Sequence, residues 1–416
     1  MNISEVKKVM RGPLAPVLTV YKEDLSLDLD ATQENVDQQI RRGMAKGKGV
    51  LLAAGAGGDF PLLSHEERKA VIKAVAEAAG GRGTVLGTAQ SPLTREAIEL
   101  AQWSQEVGCY GIQLSPTWYY PPNDEQVYAH MKAVGESIDI CVMIYHTPWL
   151  GSRISTDLFL RLAEEIPTMR SIKWSSRDAT EVLSGYIELS DTYAMINNHP
   201  SLLQAAMMGA TGYVTHLANV WPEHEVALWE MLENGDYLAA KKEFVTVQWL
   251  WRGLRSWAYN EVARGESLAV KPAAEMTGFH GGPSRPPMVS FDVEQLATVR
   301  SILERMGAPL VLVLAVINLR PRACDASWGN GPAMASRAWS VRFSSLHNAD
   351  KVQPGIQARV WAPSTAAGGP QRSVAGALRC LTTCTSAVKR GEARTTNEAR
   401  SHYPLKLSRF ISAYYR

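Results

Sequence analysis

Two residues near the middle of the chain have side chains that together can do carbonyl chemistry. Tyr145 ends the apolar run Ile140-Cys141-Val142-Met143-Ile144-Tyr145, and Lys173 ends a second run, Met169-Arg170-Ser171-Ile172-Lys173. Burial disfavours an ammonium ion, so a lysine at the end of a buried strand is driven toward its neutral amine, which can attack a carbonyl and give an imine. A tyrosine beside it can carry the protons. The alternative is a lysine that snorkels to a rim next to a packed tyrosine, and the pair alone leaves both open.

The elements that must position this pair follow from the pattern between them. Ser155 can cap a helix in which Leu158, Leu160, Leu162, Ala163 and Ile166 recur at near-helical spacing, so the unit is strand, helix, strand. A right-handed crossover lays the two strands parallel, and Tyr145 and Lys173 then emerge at one edge. Eight apolar strand-like runs can be read along the chain, at 15–20, 49–53, 84–88, 110–114, 138–145, 169–173, 193–196 and 211–215. Helical windows lie between them, including 64–79 with a capping box of Ser64 and Glu67, and 94–107 with Thr94 as N-cap. Eight strands alternating with helices predict an α/β fold, a (β/α)8 TIM barrel. After the eighth run only helical windows follow, near 222–233, 237–262, 267–277 and 292–306. The expected division is a barrel over 1–235, a small C-terminal helical appendage over 236–307 and a basic tail over 308–416 without recognisable fold, so truncation after about Gly307 is expected to leave fold and activity intact.

Two further motifs fall at the same strand edge. Gly55-Ala56-Gly57-Gly58-Asp59 follows the second strand, where successive N–H groups can converge on a carboxylate or phosphate, although a plain tight turn reads the same way. Ser115-Pro116-Thr117-Trp118-Tyr119-Tyr120-Pro121-Pro122 follows the fourth strand, and such a rigid aromatic loop either closes a pocket or makes a subunit contact. Trp118, Trp149 and Trp174 lie near the ends of the fourth, fifth and sixth strands, to stack on a substrate or to pack the rim. His146, His199 and His216 follow the fifth, seventh and eighth strands and could meet around a divalent ion, but their spacing carries no ligand signature, and pocket-lining or surface positions are the alternative.

Composition narrows the class. The formal net charge of +2 conceals a split: residues from Pro309 onward carry 15 Lys+Arg against 4 Asp+Glu, leaving 28 against 37 for the rest. The mildly acidic main body gives no reason to expect nucleic acid as a partner. Its cysteines, Cys109 and Cys141, sit in apolar runs as reduced thiols would, and the amino terminus lacks an apolar core of signal-peptide length, so a cytoplasmic protein is expected. The tail opens with an apolar stretch, 310–317, too short to span a bilayer as a helix, so no membrane partner is expected. It continues rich in Arg, Ser, Ala and Gly, as a disordered segment, an anion-attracting arm or sequence never selected as protein would; Cys324, Cys380, Cys384 and His402 fit no standard zinc spacing.

Taken in order, the GAGGD turn, the Tyr-Tyr-Pro-Pro loop, Tyr145 in Tyr-His-Thr-Pro and Lys173 in Ile-Lys-Trp-Ser-Ser resemble the dihydrodipicolinate synthase / N-acetylneuraminate lyase family. The likeness runs from about Arg11 to Gly307 and includes Gly12-Pro13-Leu14-Ala15-Pro16 and Met208-Gly209-Ala210-Thr211-Gly212. The resemblance implies that Lys173 is the Schiff-base lysine and Tyr145 the general acid/base. It implies that Ala56 and Gly57 hold a 2-oxo acid carboxylate through their N–H groups, and that Tyr119 reaches a neighbouring subunit's site as the second tyrosine of a proton relay. A homo-oligomer, dimer or tetramer, follows from that last role. The substrate-binding set expected on this basis is Gly55, Ala56, Gly57, Gly58, Leu150, Ser175, Asn197, His199 and Val214.

The departures direct the choice of substrate. Family members usually carry hydroxyl residues where this chain has Ala56 and Gly57, so the hydroxyl that would link the two tyrosines is missing, and water could replace it. Leu150 stands where the synthase branch has arginine, which argues against 4-hydroxy-tetrahydrodipicolinate synthesis, and His199-Pro200 replaces the acidic pair expected for sialic acid. The expectation is a class I, Schiff-base lyase, aldolase or dehydratase, acting on a 2-oxo acid such as pyruvate with a sugar-acid or aldehyde partner, and needing no metal or other cofactor. The alternatives are the synthase itself, a metal-dependent aldolase or hydrolase, and a non-catalytic 2-oxo acid binding protein on a lyase scaffold.

Overall fold

The alternating pattern closes on itself in the computed structural model, which describes residues 1–150 and 153–311. Eight parallel strands, β1 (Gly12–Pro16), β2 (Val50–Ala53), β3 (Thr84–Thr88), β4 (Gly111–Leu114), β5 (Cys141–Tyr145), β6 (Met169–Trp174), β7 (Ala194–Asn197) and β8 (Gly212–Val214), pair in sequence order, with β8 returning to β1. The chain is a (β/α)8 barrel, as its alternation of periods predicts. The expectations for the tail beyond Val311, including Cys324, Cys380, Cys384 and His402, lie outside the described residues.

Period-two alternation decides which side chains face the axis. Cys141 and Met143 of β5 pack in the barrel interior with Leu14, Leu52, Leu86 and Ile196, while Val142 and Ile144 pack outward against the helices. By the same parity Tyr145 continues the inward set. On β6 the outward positions are Ile172 and Trp174, which leaves Ser171 and Lys173 facing in. The Ser155 cap forms, its hydroxyl accepting from Leu158 N–H at the start of helix Thr156–Glu165, and this crossover brings Tyr145 and Lys173 into direct register.

Some elements begin or end elsewhere than their apolar runs. The first strand stops at Pro16, not at Val20. Residues beyond it are apolar for a different reason: Leu18 packs beneath the C-terminal helices with Leu217, Trp251 and Val270. The Ser64–Glu67 capping box is present. Thr94 is the first helical residue and not the cap, because its hydroxyl is engaged with His130 Nδ1 at 2.9 Å. The window at 267–277 is helical only over Val270–Met276, since the Ser267 hydroxyl is committed to Asp59.

The helices after β8 close over the strand edge. One continuous helical stretch runs through Tyr237–Glu243, a π segment at Phe244–Gln248, Trp249–Trp257 and a second π segment at Ala258–Val262. With Val270–Met276 and Val293–Met306 it buries Trp251, Leu254, Phe279, Val299 and Leu303 in a core of its own. That packing continues past Gly307: Ala308 is buried and Val311 N–H donates to Met276 O at 2.9 Å, so a truncation meant to spare the fold belongs after Val311.

Candidate active site

Lys173 and Tyr145 meet at the carboxyl edge of β5 and β6. Both side chains are buried, and Lys173 Nζ lies 3.9 Å from the centroid of the Tyr145 ring. Burial lowers the Lys173 amine to about 8; the Glu266 carboxylate opposes that shift and the Arg255 guanidinium adds to it. The Tyr145 phenol is pushed well up by burial first and by Glu266 second, against the Asn198 amide that bonds it, so it rests as the neutral phenol. A poised amine beside a proton-holding phenol is the equipment of imine chemistry.

A row of amides on the axis side holds the lysine. Lys173 Nζ donates to Gln113 Oε1 at 3.4 Å, Gln113 Nε2 donates to Gln90 Oε1 at 2.6 Å, and Gln90 Nε2 donates to Ser115 Oγ at 2.9 Å. The signal was present in the sequence as a polar amide in the middle of the apolar run Tyr110-Gly111-Ile112-Gln113-Leu114. On the other flank Asn198 Nδ2 donates to Ser175 Oγ at 2.8 Å and reaches the Tyr145 hydroxyl at 3.4 Å. Ser175 is therefore at the site, with Asn198 as a member that the sequence reading missed.

Asn197 is placed differently from the expectation. It ends β7 on the outward parity, where its Oδ1 accepts from Tyr186 OH at 3.1 Å and its Nδ2 donates to His199 O at 2.7 Å. Its side chain thus braces the strand end, and Asn198, one residue on, turns to the mouth. His199 is half-buried with Nδ1 2.8 Å from Ser201 Oγ, and Val214 takes the inward parity at the end of β8. Leu150 stands exposed in the turn Pro148–Leu150.

The glycine turn is a single 3-10 turn at Ala56–Gly58, entered through Ala54 at φ +49° and left through Asp59 at φ +62°. Its internal bonds use the N–H groups of Gly58, Asp59 and Phe60, which leaves those of Ala56 and Gly57 outside the ladder, as the first donors of any helical turn are. Asp59 fixes the turn from behind: it accepts from Ser267 Oγ at 2.6 Å and lies 3.5 Å from the buried Lys271 ammonium. Lys271 also donates to Thr19 O at 2.8 Å.

The aromatic residues divide. Trp149 meets the Tyr145 ring edge-on at 5.8 Å and borders the site, while Trp118 packs on Phe60 at 6.5 Å. Trp174 faces outward, stacked on His146 at 4.8 Å with its Nε1 donating to Val182 O, so it packs between the barrel and its helices. Tyr119 is 83% exposed at φ +80°, edge-on to Tyr120.

The three histidines do not converge. The ring of His146 points away from the mouth with Nδ1 on Ser175 O at 2.7 Å, and His199 is held by Ser201. Only His216 lies against the glycine turn, its Nε2 3.1 Å from Glu266 Oε2 and 3.5 Å from Arg255 Nη2. Among the described residues no three His, Cys, Asp or Glu side chains are grouped to hold a metal ion. His216 is lowered to about 4, by burial first and then by Arg255, so it is neutral at physiological pH. Burial would raise the Glu266 carboxyl, but His216, Arg255 and Lys173 outweigh it and hold the group near about 2, ionised. Solvent still reaches 42% of that side chain. Arg255 comes from the helix Trp249–Trp257 and Glu266 from the loop between the second π segment and the helix Val270–Met276, and neither has a sequence signature.

The described stretch is similar to known proteins. Two relatives share about the same stretch: an uncharacterized DapA-like lyase of Halobacterium salinarum, 31% identical over 301 residues that cover 72% of this chain and 94% of the relative, and the 4-hydroxy-tetrahydrodipicolinate synthase of Methanothrix thermoacetophila, 30% identical over 303 residues that cover 72% and 98%. The crystal structure of dihydrodipicolinate synthase from Aquifex aeolicus is similar with a TM-score of 0.66 at 25% identity, over 72% of this chain and 99% of that one. A sequence model of the dihydrodipicolinate synthetase family matches residues 9–306, nearly all of the described structure, and the chain therefore belongs to that family of lyases.

Proposed function

We propose that the protein is a Schiff-base lyase that makes or breaks a C–C bond to pyruvate, with a sugar acid or an aldehyde as the second substrate. The observation that carries this reading is the buried Lys173 amine, lowered to about 8, against the face of Tyr145 at the carboxyl edge of the barrel. Neutral Lys173 attacks C2 of the 2-oxo acid, and loss of water leaves an iminium. In cleavage the Tyr145 phenol first gives its proton to the hydroxide that leaves C2 as water; the C3–C4 electron pair then moves into the C2–C3 bond, the iminium nitrogen takes up the π pair, and the C4 hydroxyl gives its proton to the resulting phenolate. In condensation the Tyr145 phenol, kept protonated by burial, donates that proton to the aldehyde oxygen. The N–H groups of Ala56 and Gly57 turn the carboxylate so that the breaking bond lies parallel to the iminium π system.

A second reading, 4-hydroxy-tetrahydrodipicolinate synthesis, is favoured by the named Methanothrix relative and opposed by Leu150 at the arginine position. Incubation with pyruvate and borohydride, followed by mass spectrometry of the digest, tests the imine. A panel of 2-keto-3-deoxy sugar acids, aromatic aldehydes and aspartate semialdehyde then separates the substrates. Retention of pyruvate with turnover of none of them would make the protein a binder on a lyase scaffold.

A further inference from the structure

We infer that His216 and Arg255 bind the carboxylate of the 2-oxo acid at the edge of the glycine turn, and that the Glu266 carboxylate occupies that place until the substrate displaces it. The inference rests on the Schiff-base reading above and adds the residues that receive the acid group.

It begins with the missing side chain at Gly57. The backbone there is not in the left-handed region, so glycine is not required by conformation; it is required by space. A Cβ on Gly57 would stand 2.6 Å from His216 Nε2, 2.8 Å from His216 Cδ2 and 2.9 Å from Pro16 Cβ. The imidazole of His216, arriving from the end of β8, fills the volume that a hydroxyl side chain at this position would take. One donor has been exchanged for another: an imidazole N–H stands where an O–H would.

That donor already holds a carboxylate. His216 is buried and its Nε2 is 3.1 Å from Glu266 Oε2, so the nitrogen carries the proton and donates it, with the Arg255 guanidinium 3.5 Å away as the neighbouring charge. The arrangement is that of an oxo acid's carboxylate held by a neutral donor and a cation beside Lys173. Two carboxylates cannot share the one N–H, and two anions side by side repel. Glu266 can leave, because solvent already reaches 42% of its side chain and its backbone lies between the π segment Ala258–Val262 and the helix Val270–Met276. While it stays, the guanidinium keeps an anionic neighbour; when pyruvate enters, one carboxylate replaces another and the local charge is unchanged.

The test uses the full chain and pyruvate alone. The reduced adduct is quantified by intact mass after borohydride, as a function of pyruvate concentration, to give the half-saturating concentration and the limiting rate. His216→Ala is expected to raise half-saturation about tenfold or more while adduct still forms at saturation. Glu266→Gln is expected to lower it several-fold, since the competing charge is gone. The double variant Gly57→Ser/His216→Ala is expected to recover part of the lost affinity, with Pro16 yielding a few tenths of an ångström to the new Cβ.

Unchanged half-saturation in His216→Ala, or unchanged or raised half-saturation in Glu266→Gln, would overturn the inference. If His216→Ala melts at assay temperature, the sign of the Glu266→Gln effect decides alone. If the wild type traps no adduct at any pyruvate concentration, the Schiff-base reading is what fails. Calorimetric titration of pyruvate into the same variants then judges the carboxylate site separately, by the same opposite signs.

Discussion

Lys173 Nζ stands 3.9 Å above the Tyr145 ring because the two residues are direct partners in the β5–β6 ladder, each on the inward parity of its strand. The contact is with the ring face and not with the hydroxyl, so removing the hydroxyl leaves the lysine's packing in place. This separates the two roles experimentally. Lys173→Ala is expected to abolish both adduct and turnover. Tyr145→Phe should still trap pyruvate but turn over roughly 10²–10⁴ more slowly. Trapping at Lys73 or Lys132 in the Lys173→Ala variant would refute the assignment.

The pH dependence of adduct formation follows from burial of the amine. Lys173 titrates at about 8 instead of 10.5, and only the free amine attacks. Below about 8 the ammonium form dominates, so the rate at fixed low pyruvate is expected to fall about tenfold per pH unit and to level off above. A rate still climbing toward pH 10.5 would show a lysine that keeps its ordinary basicity.

Lys271→Met is expected to cost about 3–5 kcal/mol in urea unfolding, because it strands the Asp59 carboxylate without its cation in a buried place. Folded molecules of this variant should also trap pyruvate poorly, since Asp59 seats the glycine turn. A loss below about 1 kcal/mol would mean that the pair is solvated and dispensable.

Assembly is expected to be a dimer or tetramer by light scattering, motivated by Tyr119, which stands at φ +80° and 83% exposed when the chain is taken alone. Tyr119→Ala should reduce turnover about tenfold or more while adduct formation continues, as expected for a relay member from a neighbouring subunit. A fully active monomer would contradict this.

Much of the frame could be read from the chain because periodicity reports burial. The strand, helix, strand unit around Ser155 and the register of Tyr145 with Lys173 are local consequences of alternation and capping. Errors arose where burial had another cause: Leu18 is apolar because late helices cover it. Asn197 and Asn198 differ by one residue, and in a strand one residue reverses the face. Gln113 was legible as a polar interruption of an apolar strand. Glu266 and Arg255 were not, since which part of a distant loop and helix meets the mouth depends on docking that no local period encodes.

The bond from Ser267 to Asp59 spans 208 positions of sequence, and Lys271 reaches back still further to Thr19. During synthesis, which proceeds from the amino terminus, all eight strands have been made by Val214 while the anchor of the glycine turn is still unmade. A nascent barrel complete in its strands would carry Lys173 without a seated carboxylate turn and without Arg255 or Glu266. Lys173 therefore gains these neighbours only after all eight strands have been made.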